Sequence, residues 1–243
     1  MKVNYGIYLG TNSASIARMK NGVPVIIKSN VLKDAIPLCV AISKNGSILV
    51  GGTAYNLHKR ELLKSQQDWS CADTNSFVEF IRTLGTDKTY FSNNANKSFT
   101  STELVTEVIK VLRCFVKDEE VKSAVITVPA GCKINQIDAV REAGELAGLL
   151  QVEIVQEPIA AAMSYRNDSD KKESFCLVFD FGGGTFDAAL LKVEEGIMQV
   201  IDTEGDNFLG SKDYVAAQGK YNEALSVKST EKYPKDKLTE IEV

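Results

Sequence analysis

Between Thr100 and Tyr165 the chain alternates helix-like and strand-like segments, and this restricts the fold more than any other feature. Thr100 and Glu103 have the spacing of a capping box. Leu104, Val108, Val111, Leu112 and Phe115 then recur at helical spacing. "SAVITVPA" predicts a buried strand stopped by Pro129. "INQIDAVREAGELAGL" predicts a helix ending near Gly148, and "QVEIVQ" a second strand. Glu157 and Pro158 open a third helix, with proline at a favoured first-turn position. Strands joined through helices pair in parallel, so the expected class is α/β.

Both flanks read as strands. "NYGIYLG" and "ASIARMK" enclose a small polar turn, and Asn21–Gly22 close a second hairpin into "VPVII". Residues 31–100 are less regular. "NSFVEFIRTLGTDKTY" is expected to hold a short helix and "FSNNANKSFT" to be a polar loop. "RNDSDKKES", 166–174, reads as a linker, and residues 175–202 are strand-rich again. Tyr5–Lys20 can be laid on Leu177–Lys192 without gaps: Gly10 meets Gly182, Ala17 meets Ala189 and Lys20 meets Lys192. Both copies continue through a glycine, Gly22 or Gly196, into a β-branched strand. The pattern predicts a duplicated hairpin.

Several classes are disfavoured by composition. Hydrophobic residues make up 44% and charged residues 25% of 243, a soluble globular balance. The net charge of −4 argues against a nucleic-acid partner. No run of about 18 apolar residues is present, and the start lacks a signal-peptide pattern, so a cytoplasmic protein without a membrane partner is expected. Cys39, Cys71, Cys114, Cys132 and Cys176 are scattered and form no C-x-x-C pair, as expected of reduced thiols. His58 is the sole histidine and stands beside Lys59 and Arg60. A solvated residue is expected there, which leaves little room for histidine catalysis or histidine–metal chemistry.

The second glycine turn, "LVFDFGGGTFDAALL" at 177–191, carries the chemistry. With Gly182–Thr185 as the loop, Asp180 faces Asp187 and Phe181 faces Phe186. Like charges directly opposite on a sheet destabilise it, so a nearby positive charge or a protonated acid is expected. A hydrated Mg²⁺ suits the position, because it prefers oxygen ligands and keeps several waters. Glycines let backbone N–H groups approach phosphate oxygens, and Thr185 adds a hydroxyl. A plain hairpin with solvated acids is the alternative.

The chain resembles the nucleotide-binding domain of the Hsp70 chaperones. "FDFGGGTFDAALL" is similar to that family's second phosphate loop and "GIYLGTNSAS" to its first. "AVITVPA", "REAGELAGL", "QEPIAAAMSY" and "GDNFLGSKD" resemble the segments between and after them, so the likeness spans roughly residues 3–213. It implies the actin-like, ribonuclease-H-like ATPase fold, binding ATP or ADP with Mg²⁺ between two lobes. The first lobe would be 1–172, with an irregular insertion at about 30–100. The start of a second lobe would be 173–213, and 214–243 is a polar tail that does not align. Carried over, Gly10, Thr11 and Asn12 form the first phosphate loop, and Gly182, Gly183, Gly184 and Thr185 the second. Asp180 holds the metal through water, Glu157 helps order the attacking water, Asp187 supports the second loop, and Gly210 lies on the phosphate side.

The chain also departs from that pattern. Tyr8 stands where the family's first loop, like the second copy here, has an aspartate. A neutral, bulky tyrosine does not replace a metal-shell carboxylate. Ile81 replaces a lysine that supports phosphoryl transfer, and Ile137 an arginine of the interdomain relay. The family's later nucleotide-lobe segments and its peptide-binding domain have no counterpart in these residues. The expectation is a complete first lobe, the beginning of a second, and self-association through unpaired sheet edges. Functionally, an ATP-binding domain with impaired hydrolysis is expected. Unfolded polypeptides and cochaperones are partners only through the missing domain. The alternatives are a non-enzymatic interaction module and an actin-like filament protein.

Overall fold

A computed structural model describes residues 3–67, 75–165 and 173–206. The chain divides into two compact units, residues 1–170 and 171–243.

The first unit is built on a six-stranded sheet. Strand β1 (Tyr5–Leu9) pairs antiparallel with β2 (Ser13–Lys20), and β2 with β3 (Val23–Ile26). The turn between β2 and β3 uses Asn21 and Gly22 at φ 53° and 80°, the doubly positive geometry that Asn-Gly supplies. The short β4 (Ile36–Pro37) also joins β2. Next come β5 (Cys39–Ile42) and β6 (Ile48–Val50), then helix α1 (Gly52–Gln67) and β7 (Ser76–Val78). These strands form a separate sheet in the order β6-β5-β7. Strands β8 (Thr89–Ser92) and β9 (Lys97–Thr100) make a two-stranded ribbon.

Helix α2 (Ser101–Arg113) begins with the expected reciprocal cap. Thr100 Oγ1 accepts from Glu103 N at 3.1 Å, and Thr100 N donates to Glu103 Oε2 at 2.8 Å. Strand β10 (Ser123–Val128), helix α3 (Ile134–Leu146), strand β11 (Gln151–Gln156) and helix α4 (Glu157–Tyr165) follow. β10 pairs parallel with both β1 and β11, as helix-linked strands require, giving the sheet order β11-β10-β1-β2-β3. Alternation then sorts the side chains. Tyr5, Ile7 and Leu9 of β1 and Ala124, Ile126 and Val128 of β10 are buried. They share one core with Leu104, Val108 and Leu112 of α2 and Val140 and Ala143 of α3. Gly6, Tyr8, Val125 and Thr127 fall on the opposite, half-buried face.

The second unit is described as an antiparallel sheet of β12 (Glu173–Phe181), β13 (Phe186–Glu194) and β14 (Ile197–Asp206). Its β13–β14 turn places Glu195 and Gly196 at φ 48° and 86°, the same doubly positive turn as Asn21–Gly22. The repeat therefore extends to backbone geometry. Together these elements form the mixed α/β architecture expected of an actin-like ATPase domain.

Three sequence expectations need correction. Residues 31–100 are far from irregular, since they hold six strands, β4 to β9, and a helix of 16 residues. "NSFVEFIRTLGTDKTY" does hold the expected short helix, as the 3₁₀ turn Phe80–Thr83, between β7 and the start of β8. "FSNNANKSFT" is the ribbon β8–β9 and its turn rather than a polar loop. His58 is half-buried, with Nδ1 3.0 Å from Ser76 Oγ and its ring stacked on Tyr55. The expected linker at 166–174 gives up Glu173 and Ser174 to β12, and its other residues lie outside the described ones. Among the described cysteines, Cys39, Cys114, Cys132 and Cys176 are free. No helix among the described residues is long and apolar enough to cross a membrane.

Candidate functional site

Parallel pairing sends the carboxyl ends of β1, β10 and β11 to one rim of the first sheet. The loop Gly10–Asn12 leaves β1 there, Pro129 follows β10, and Glu157 follows β11 directly. Gln156 Nε2 donates to the Ala130 carbonyl at 3.1 Å and ties the last two exits together. Open α/β sheets bind ligands outside the carboxyl ends of their strands. Two predicted site elements, the first loop and Glu157, thus share a rim although 145 positions separate Asn12 from Glu157.

Each glycine loop closes in the same way. Gly10 N donates to Ser13 O at 2.9 Å, and Gly182 N donates to Thr185 O at 2.9 Å. Register completes the likeness: Tyr8 pairs with Ser15, and Asp180 pairs with Asp187. The two turns are one device built twice, with different groups at the mouth.

The second turn carries two half-buried carboxylates facing one another. Burial raises Asp180 above the ordinary carboxylate range. Burial first, and then the charge of Asp180, does the same for Asp187. Among the described residues, neither forms a salt bridge; Lys192, five residues along β13 from Asp187, is engaged by Glu173 at 3.1 Å and Glu194 at 2.8 Å. Asp187 lies flat on β14, where a Cβ at Gly205 would come 2.6 Å from its Oδ1. Phe181 and Phe179 pack on Phe186 at centroid distances of 6.0 and 6.2 Å and hold the strand ends together. A pair of carboxylates without a cation is a donor set that suits a hydrated divalent ion. No group of three or more Asp, Glu, His or Cys ligands is assembled among the described residues.

At the mouth of the first turn the phenol of Tyr8 lies on Gly10. A Cβ at Gly10 would collide with the Tyr8 hydroxyl and sit 2.6 Å from Cζ. The open backbone face that glycine provides is therefore covered by the chain's own side chain. On the same face of β10, Thr127 Oγ1 is buried with no hydrogen-bond partner. A buried orphan hydroxyl calls for water or a ligand group. Sequence reasoning passed over Thr127; its only signal is a polar residue within "AVITVPA".

Ile81 and Ile137 are half-buried and pack against the main core. At Ile81, the predicted lysine position is thus part of the hydrophobic interior. Arg82 is no free substitute, because its Nε reaches Glu79 Oε2 at 3.2 Å. Gly210 and residues 214–243 lie outside the described residues.

The profile described as "Hsp70 protein" matches residues 4–232. The chain belongs to the Hsp70 family. Chaperone protein DnaK of Mycoplasmopsis agalactiae is 37% identical over 216 residues, 88% of this chain and 34% of the relative. Its counterpart in Metamycoplasma hominis is 38% identical over 213 residues, 86% of this chain and 33% of the relative. DnaK of Thermosipho africanus is 38% identical over 214 residues, with the same two shares. This Hsp70-family chain spans about a third of the length of these relatives. It falls in the chaperone ATPase domain family, whose members bind nucleotide and Mg²⁺.

Proposed function

We propose that the chain is a nucleotide-binding Hsp70 domain that takes up ATP or ADP with Mg²⁺ and hydrolyses ATP slowly. The observation that carries it is the repeated turn, closed by the same hydrogen bond at Gly10 and Gly182 but with a carboxylate pair at only one of the two mouths. Gly10, Thr11 and Asn12, and Gly182 to Thr185, form turns that cradle phosphate oxygens with backbone N–H groups, the N–H groups of Gly10 and Gly182 themselves being spent on closing the turns. Asp180 holds hydrated Mg²⁺, which when bound neutralises phosphate charge. Asp187 keeps the second loop in register with it, and Gly210 adds a phosphate-side contact. Glu157, at the rim beside the first loop, orients the attacking water.

The first loop is where the chain is weak. Tyr8 supplies no negative charge and lies over Gly10. Ile81 places apolar surface where phosphoryl transfer benefits from a cation, and loss of one such group costs about 10²–10³-fold in rate. Clients and cochaperones of the Hsp70 type, action as a chaperone, and a cytoplasmic setting belong to the same proposal. So does self-association: among the described residues β3 is exposed along its length and pairs only with β2, and β12 and β14 expose Phe175, Leu177, Ile197 and Ile201.

Calorimetry with MgATP and MgADP, followed by single-turnover hydrolysis, tests the central reading. Binding with slow turnover is expected. Turnover at an ordinary rate that collapses in Glu157→Ala would overturn the slow-hydrolysis part. No binding at millimolar nucleotide would leave a non-enzymatic interaction module instead.

A further inference from the structure

A polar cavity lies in the first unit, between helix α1 and the β5–β6 hairpin. It has a volume of about 470 Å³, within the range of about 300–1,000 Å³ for small-molecule sites. Asn56, Arg60 and Lys64 line it from successive turns of one face of α1, and Lys44 lines it from the hairpin. Leu49 and Leu57 supply apolar wall.

Its charges are unbalanced. Lys44, Arg60 and Lys64 form no salt bridge with any described residue, whereas the one acid in the lining, Glu61, accepts a hydrogen bond from Ser76 Oγ. That hydroxyl also sits 3.0 Å from His58 Nδ1, so Glu61 belongs to a polar cluster of its own. Lys59 is engaged elsewhere, over the Tyr55 ring at 4.8 Å.

The amides are held in fixed orientations. Asn75 is 3% exposed, and its Oδ1 accepts from Ser92 Oγ at 2.9 Å and Asn94 N at 2.7 Å. What Asn75 offers a ligand is therefore its NH₂. Asn94 Nδ2 donates to the Ile42 carbonyl at 2.8 Å, so Asn94 offers its Oδ1. Cations at the mouth with one fixed donor and one fixed acceptor below them match an anionic group attached to a hydroxyl-bearing body.

We propose that this cavity binds a small phosphate monoester carrying free hydroxyls, of the sugar-phosphate class. Arg60, Lys64 and Lys44 take the phosphate, and Asn75 and Asn94 take a hydroxyl as acceptor and donor. The site stands on different residues from the glycine turns and does not depend on the nucleotide reading.

The test uses the full chain with glucose 6-phosphate, inorganic phosphate and glucose as probes, read by calorimetry and by protein amide shifts. Saturable binding of glucose 6-phosphate is expected, weaker binding of phosphate, and none of glucose at roughly 10 mM. Arg60→Glu with Lys64→Glu should weaken glucose 6-phosphate at least about tenfold. Both residues are exposed, so the fold is retained, which circular dichroism checks. MgADP affinity should be the same in the double variant and the parent. The proposal fails if no probe binds saturably, if binding survives the charge reversal, or if excess MgADP displaces the probe. That last result would place the probe at the nucleotide turns.

Discussion

Replacing Tyr8 with aspartate tests why the first turn differs from the second. In Tyr8→Asp the phenol no longer covers Gly10, and a carboxylate stands at the position equivalent to Asp180. A carboxylate about 4.5 Å from a divalent ion, across one water, interacts by about 1.8 kcal/mol at the dielectric constant of bulk water. Screening and ordering of the side chain reduce this, and about 1 kcal/mol is expected to remain, roughly fivefold in affinity. The gain depends on the metal. Calorimetry should show MgADP binding tighter in Tyr8→Asp by about that factor, with no charge-derived gain for ADP in EDTA. Loss of the half-buried ring should lower stability by about 1 kcal/mol, measured by urea denaturation. Unchanged MgADP affinity, or an equal rise with and without metal, would refute the reasoning and leave Tyr8 a packing residue.

Three further outcomes follow from particular contacts. Asp180 and Asp187 both lie above the ordinary carboxylate range, so the folded unit keeps their protons longer than the unfolded chain does. Their contribution is full below the ordinary carboxylate pKa of about 4 and is lost as pH rises through the raised folded values. Asp187→Asn should therefore stabilise the metal-free protein near pH 7 by about 0.5–1 kcal/mol and the gain should shrink toward pH 4; destabilisation near pH 7 in urea melts would count against the unbalanced pair. Thr100→Ala removes the acceptor for Glu103 N and should cost about 1 kcal/mol in the same assay; no loss would mean the cap is idle. Burial and the charge of Glu61 push the Cys39 thiol up to about 12, whereas Cys114 is exposed. Iodoacetamide at about pH 8 should label Cys114 and spare Cys39, and equal labelling of the two would contradict the packing of β5.

Much of the site was legible because it is local. A turn that closes by a bond from Gly182 to Thr185 is specified within four residues, and the register that opposes Asp180 and Asp187 follows from it. The Thr100–Glu103 cap and the strand alternation of β10 are local in the same sense. Residues 31–100 were harder to read. β5 sits between β6 and β7, and all four of its residues are buried, so no alternation marks it. The ribbon β8–β9 depends on long-range packing of Tyr90 and Phe99 against Phe77. His58 was misjudged because its partner, Ser76, is 18 positions away.

The amino-acid order alone determined the alternating α/β class, the duplicated hairpin and the chemical contrast between Tyr8 and Asp180, because each depends on neighbours within a few positions. Tertiary structure alone decided that Gly10 and Glu157 share a sheet rim, that Ile81 joins the core, and that Asn75 and Asn94 come to line a cationic cavity with α1. Those facts arise from parallel pairing and side-chain packing between segments far apart in the chain. No local pattern encodes the direction in which such segments meet.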